Sequence, residues 1–319
     1  MTLGSQTRKE APEPTGSLVH RKNTLKIGNW NVRTLYRTGN LAQAAREMKR
    51  RGISIMGISE THWTGQGKLQ IAEGETIIYS GREDDIHRAG VGILMSQDAA
   101  GALIEWIPVS ERIIQARFHS RHIKLMVIHV YAPTEDADEE TKDEFYAKLQ
   151  GVLDKRNKHD MLGITGDVNA KVGEENNIYE RVMGKHGLGV RNRNGEKLCD
   201  MCDMNELVIT GTLFPHKIIH KATWISPDGR TRNQIDHVLI NKRFRNSVED
   251  TRVYRSADLG SDHYLVCTTI RLKLKRPPRQ KKTGRVKYDS SKLGNEDTLK
   301  EFKVTLRNRY QVLQQERGV

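Results

Sequence analysis

Short runs rich in Val, Ile, Leu and Met recur along this chain, at 25–30, 53–59, 90–96, 113–118, 123–131, 161–165, 207–210, 233–240 and 264–274. Several, IKLMVIHVY at 123–131 among them, are unbroken rather than alternating, as strands buried on both faces require. Amphipathic helical patterns lie between them. Leu41, Ala45 and Met48 share one face, and Phe145, Leu149, Val152 and Leu153 share another. An α/β protein with many strands follows, and 319 residues suffice to bury its core without staples.

The pattern has edges. Residues 1–24 are polar, contain Pro12 and Pro14 and lack periodicity, which predicts a disordered N-terminal segment. The domain is expected over 25–275, where KRPPRQKKTG interrupts it with two prolines and a charge run. Residues 276–319 read as a basic linker and a C-terminal helix, with Leu299, Phe302, Leu306 and Leu313 at near-helical spacing. The formal net charge of +13 is concentrated at the ends. Residues 275–319 hold 13 Lys/Arg against five Asp/Glu, and residues 1–26 hold five against two, which leaves a net of +2 between them. Such basic ends suit a phosphate-rich partner, or they are solvated tails. No apolar run approaches the roughly 18 residues needed to span a bilayer, and the N-terminus lacks a hydrophobic signal region. A nuclear or cytoplasmic protein, not secreted and not in a membrane, is expected. The odd count of three cysteines, Cys199, Cys202 and Cys267, fits a reducing compartment. Oligomeric state leaves no mark in the sequence.

Polar clusters fall at the ends of these strands: Asn31 in NWNVRTL, Glu60 in ISETHW, Tyr131 in HVYAPT, Asp167 and Asn169 in GDVNA, Asp236 in NQIDHVLI, and Asp262 with His263 in GSDHYL. Metal-assisted phosphoryl transfer requires such a set. Mg²⁺, a hard cation, takes oxygen ligands, which Glu60 with Asn31 and Asp262 would supply; Mn²⁺ accepts the same donors. A base must deprotonate water in line with the leaving oxygen, a task that suits Asp167, while His263, Asn169 and Tyr131 suit stabilisation of the developing charge. Singly, each has a plainer reading, because an Asp after a strand is usually a turn former and a Tyr before Ala-Pro is usually core. Their joint appearance, in order, reverses that preference.

The series NWNVRTL, SETHW, VYAPT, GDVNA, NQIDHVLI and SDHYL resembles the endonuclease/exonuclease/phosphatase superfamily, which includes pancreatic deoxyribonuclease and apurinic endonucleases. VMGKHGLGVRNRNGEKLCDMC and the later TGTLFPHKIIHKATWISPDGRTRNQIDHV resemble the endonuclease domain of RTE-type non-LTR retrotransposons, a domain shared with the craniofacial development protein 2-like family. The resemblance implies a four-layer α/β sandwich with two central β-sheets flanked by helices. It also implies Glu60 as main metal ligand with Asn31 and Asp262, Asp167 as water activator, and Asn169 positioning water or phosphate. Asp236 would orient His263, Tyr131 would contact the scissile phosphate, and Thr223 and Ser261 match further phosphate-side positions. Apurinic endonucleases carry an acidic residue after NWNV where this chain has Arg33. The implied activity is nicking of one DNA strand to leave a 3′-hydroxyl. A small-molecule or lipid phosphatase of the same fold and a non-catalytic chromatin-binding module are the alternatives.

Cys199, Cys202, His216 and His220 match a Cys₂His₂ zinc spacing. The cysteines, however, read as helical and the histidines as loop and strand, the reverse of a finger, so no zinc is expected. The loop at 185–195 is basic and glycine-rich without aromatic residues, so it suits phosphate contact or plain solvation rather than base readout. Trp63 and Trp224 read as core residues, with stacking on bases as the alternative.

Overall fold

The computed structural model describes residues 9–10, 18, 24–272 and 289–315, which fall into two units, Met1–Lys273 and Leu274–Val319. In the first unit the strands are β1 (Lys9–Glu10), β2 (Leu25–Asn31), β3 (Ile55–Ser59), β4 (Gln66–Gln70), β5 (Thr76–Ser80), β6 (Val91–Met95), β7 (Leu103–Ser110) and β8 (Ile113–Phe118). They continue with β9 (Leu125–Tyr131), β10 (Met161–Asp167), β11 (Leu207–Ile209), β12 (Trp224–Ile225), β13 (Arg232–Asn233), β14 (Asp236–Asn241), β15 (Val248–Tyr254) and β16 (Leu265–Ile270). The helices are α1 (Asn40–Arg50), α2 (Gln97–Gly101), α3 (Glu139–Asp154) and α4 (Arg193–Met204).

The first sheet runs β1-β7-β8-β9-β10-β14-β11 and the second β15-β16-β2-β3-β6-β5-β4, with β12 and β13 paired apart. Both sheets are mixed, because β9–β10 and β2–β3 are parallel within otherwise antiparallel neighbours. Along β9 the side chains alternate between two cores. Leu125 and Val127 meet Ile27, Ile55 and Ile93 of the second sheet, while Met126, Ile128 and Val130 meet Phe145 and Leu149 of α3 and Leu198 and Met201 of α4. The outer face of the second sheet buries Met56 and Leu94 against Ala45 and Met48 of α1. Helices, sheet, sheet and helix thus stack as a four-layer α/β sandwich. Each such side chain contributes about 1.5–3 kcal/mol over its exposed state. Local signals start the helices: Asp138 accepts from the Thr141 N–H at 2.7 Å ahead of α3, and Asn192 from the Gly195 N–H at 2.8 Å ahead of α4.

The sequence reading omits β4, β5, β7 and β15. β4 and β15 are the two edges of the second sheet, so β4 is mostly exposed and β15 alternates, which blunts the apolar signal. β7 contains Pro108, tolerated where its register with β8 slips between Pro108 and Ser110. Within the segment before residue 25, expected to be disordered, Lys9–Glu10 pairs with Trp106 and Glu105 through backbone bonds that need no apolar pattern. The rest of that segment and the 276–288 linker lie outside the described residues, apart from residues 18 and 24. In the second unit α5 (Glu296–Gln315) occupies the predicted helical stretch, started by Asn295, which accepts from the Asp297 N–H at 2.9 Å. Among the described residues no helix is long and apolar enough to cross a membrane.

Candidate active site

Strand register gathers the polar residues. Asp167 closes β10 directly opposite Tyr131 on one side and Asp236 on the other, so three neighbouring strands of the first sheet present polar side chains along one line. In the second sheet Asn31 pairs with Ser59, which places Glu60 one residue beyond, and His263 precedes β16 with a backbone bridge to Trp224. The two sheet ends face each other. Asn31 Nδ2 donates to Glu60 Oε1 at 2.7 Å and to Asp167 Oδ2 at 2.9 Å. His263 Nδ1 lies 2.9 Å from Asp236 Oδ2, and its Nε2 lies 3.8 Å from Asp167 Oδ2. One connected cluster therefore runs from Glu60 through Asn31 and Asp167 to His263 and Asp236.

The backbone at this end is bent unusually. Arg33, Glu60, His62 and Asn169 all adopt positive φ, at 59°, 57°, 57° and 49°. Side chains other than glycine rarely do so, at a cost of order 1–3 kcal/mol each, and such residues collect where function fixes them. These bends fall just past β2, β3 and β10, where Glu60 accepts from Asn31 and Asn169 reaches Ala132 O.

Electrostatics divide the cluster. Burial, then the charge of Asp236, pushes the Asp167 carboxyl up to about 7, against the opposing pulls of His263 and Asn31. Burial alone would lower His263, but Asp236, Asp167, the hydrogen bond to Asp236 and the charge of Asp262 together raise it to about 10. The imidazole is therefore a cation near neutral pH, held between the side chains of Asp236 and Asp167. The Tyr131 phenol is raised by burial and by the charges of Glu60 and Asp167, so it is a hydroxyl donor and not a phenolate.

Other expected positions are engaged inside the protein. Thr223 Oγ1 accepts from the Ile235 and Asp236 N–H groups at 3.0 and 3.1 Å, and Ser261 Oγ donates to Asn31 O at 2.8 Å while accepting from His263 N at 3.1 Å. Asn169 Nδ2 donates to Ala132 O at 3.0 Å. Trp224 neither stacks outward nor joins the core: its Nε1 donates to Asp262 Oδ2 at 3.0 Å. Trp63 packs edge-on against Tyr79 with centroids 4.9 Å apart. Three neighbours went unnoticed as site residues in the sequence. Arg112 stacks on Tyr131 at 5.1 Å and donates to its carbonyl at 3.1 Å; Arg33 Nε lies 3.7 Å from Asp262 Oδ1; His62 Nε2 lies 3.5 Å from Glu60 Oε2. Arg112 sits in VSERIIQ with no marker of its role, whereas Arg33 was visible as a charge beside NWNV. The residues of the zinc spacing point into separate surroundings. Cys199 and Cys202 are buried in the α4 core, while His216 bonds Asp250 at 2.6 Å and His220 faces Val253 O at 3.4 Å.

Two donor sets could face a cation. Asp167, Asp236 and His263 offer atoms within 4.8 Å of one another, but all three are buried and the imidazole already supplies the positive charge. The rim fits a hard ion better. Glu60 is partly exposed, and Asp262 Oδ1 is buried without a hydrogen bond. Asn31 Oδ1, engaged by the Arg33 N–H, keeps a second lone pair.

Residues 125–267 match the family model described as endonuclease-reverse transcriptase. The chain is 41% identical over 260 residues to craniofacial development protein 2 of Bos taurus and 41% over 253 residues to that of Tragulus javanicus, which covers 82% and 79% of this chain. It spans 43% of the length of each of these relatives. Among solved structures, the endonuclease domain of TRAS1, a telomere-specific non-LTR retrotransposon, aligns with a TM-score of 0.55 at 17% identity, over 78% of this chain and 100% of the other. The 3′-5′ exonuclease NExo from Neisseria meningitidis aligns at 0.59 and 21%, with the same coverage. These likenesses show a shared fold.

Proposed function

Because this chain belongs to the endonuclease/exonuclease/phosphatase superfamily, we propose that it is a Mg²⁺-dependent DNA endonuclease of retrotransposon origin that nicks one strand. The observation that carries this reading is the unbroken chain of contacts joining an open oxygen rim at Glu60 to the buried Asp167, His263 and Asp236. Glu60, Asn31 and Asp262 would hold the ion, which supplies Lewis-acid stabilisation of phosphate oxygens when bound.

Asp167 takes the proton from the attacking water; burial and the Asp236 charge raise its carboxyl above the ordinary range, which makes it a stronger base. Asn169 positions the water or the phosphate. The His263 imidazolium donates to a phosphoryl oxygen as negative charge grows, and Asp236 fixes its orientation through Nδ1. The Tyr131 hydroxyl contacts the scissile phosphate, with Thr223 and Ser261 holding the turns behind it. Water adds to phosphorus as the bond to O3′ breaks, and the departing oxygen takes a proton from solvent, which leaves a 3′-hydroxyl and a 5′-phosphate.

Nicking of supercoiled plasmid tests this directly. Conversion to open circles is expected with Mg²⁺ or Mn²⁺, without stimulation by zinc. Undiminished cleavage in excess chelator overturns the mechanism.

A further inference from the structure

A cleft of about 330 Å³ lies at the end of the first sheet opposite the candidate active site. Arg156 and Lys158, from the connection between α3 and β10, meet Lys242 and Arg243, which follow the last residue of β14, with Asn205 and Glu206 between them. Asp167 and Asp236 are paired at the other ends of β10 and β14. At ~3.3 Å per residue, the seven residues of β10 separate cleft from site by roughly 20 Å.

The two guanidinium groups are held in place by neutral groups, and the two lysines are exposed. The Arg156 guanidinium donates to Leu153 O at 2.8 Å, and to Asn205 Oδ1 and O at 3.4 and 3.5 Å. The Arg243 guanidinium donates to Lys158 O at 3.5 Å and stacks on Phe244 at 4.8 Å. Among the described residues none of the four cations forms an ion pair, unlike Arg51 with Glu47, Arg117 with Asp160 or Lys197 with Asp143. A guanidinium fixed by carbonyl oxygens is pre-organised yet keeps its charge for an outside anion. Glu206, with φ at 53°, receives the Lys242 N–H on its carbonyl at 2.7 Å and so locks the two loops together. Its carboxylate leaves the lining strongly positive.

We propose that this cleft is a second nucleic-acid site, which grips the sugar-phosphate backbone of a single strand. A duplex held at the catalytic end is too stiff to turn around a body of roughly 20 Å, given a persistence length of about 50 nm, whereas a single strand can. The lining contains no aromatic residue for base stacking, and Met204 is its one exposed apolar side chain, so recognition is of backbone and independent of sequence. This site needs neither the metal nor the cleavage chemistry.

The test uses the full chain in chelator, with an oligothymidylate as ligand and binding measured from about 50 to 200 mM salt. Lys158 and Lys242 are exposed, so Lys158→Gln with Lys242→Gln leaves the fold intact. Two lost phosphate contacts on a single strand reduce the slope of log K against log salt by roughly 1.4. The control pair Lys49→Gln with Lys68→Gln, on exposed positions elsewhere, should keep the wild-type slope. Plasmid nicking should be unchanged in both pairs. The proposal is overturned by a wild-type slope in the cleft variant, by an equal loss in the control, or by an equal loss with a short duplex as ligand.

Discussion

Two histidines lie in the layer between the sheets, both buried, and they hold opposite charge states. His129, fully enclosed, bonds Ser59 Oγ at 3.1 Å and Thr165 Oγ1 at 2.9 Å, and burial drives its pKa down to about 3. His263, 7% exposed, lies between Asp236 and Asp167 and is raised to about 10. The same low-polarity layer thus neutralises one imidazole and charges the other, and only the partners differ. Hydroxyls can satisfy a neutral ring but cannot offset a charge; paired carboxylates can. The deeper histidine spans the sheets as a structural bridge, while His263 holds its positive charge between two acidic side chains at the ends of the strands.

The largest expected effect comes from removing the charged partners. Asp167→Ala and His263→Ala should each slow plasmid nicking by at least the order of 10²-fold, the scale of losing a general base or a pre-organised stabiliser. DNA affinity should barely move, because these groups act as charge develops. Adding Asp236→Ala to His263→Ala should cost little beyond the single change, since Asp236 acts through the imidazole. A double variant that shows the full product of the two single defects breaks the pairing.

The sequence carried much of this contrast, but unevenly. Strand-end residues such as Asn31, Glu60 and Asp167 were legible because polar residues interrupt apolar runs, and register then aligned them. His129 was invisible for the same physical reason. In IKLMVIHVY it occupies an inward position of a strand that otherwise reads as core, and its hydroxyl partners come from strands 70 and 36 residues away. Positive φ at Glu60, Arg33 and His62 left no mark either, since none is Gly or Asn. Pairing across the sheets, as with Asn29 Nδ2 donating to Gly166 O at 2.9 Å, depends on a packing that no local pattern encodes.

His129 itself gives the next effect. His129→Leu fills similar space but leaves the Ser59 and Thr165 hydroxyls unpaired, lowering stability by roughly 1–3 kcal/mol near neutral pH. In the wild type the folded pKa of about 3 lies below the unfolded value near 6.5. Its contribution is therefore complete above the unfolded pKa and is lost as pH falls toward 3, at up to about 1.4 kcal/mol per pH unit. Denaturant midpoints at about pH 7.5 and about pH 5 should thus converge between variant and wild type. A deficit that stays constant with pH would mean that His129 is not held neutral. Gly57→Ala probes the same ring, because its Cβ would fall 2.0 Å from Nδ1 and 2.5 Å from Thr165 Oγ1; the forced shift should destabilise by about 1–3 kcal/mol.

The smallest effect is expected from Thr165→Val, which preserves shape and removes only the hydroxyl bonded to His129 Nδ1. Ser59 remains as an uncharged partner, so the ring stays neutral and the loss should be about 1 kcal/mol in urea unfolding. Thr165 lies two residues before Asp167, yet Asp167 is fixed independently by Asn31 Nδ2 at 2.9 Å and the Asn169 N–H at 3.1 Å. Plasmid nicking should therefore continue at nearly the wild-type rate. If Thr165→Val instead slows nicking as severely as Asp167→Ala, the bridge at His129 and the cluster at His263 are one cooperative network, and the division between a structural interior and a chemical mouth fails.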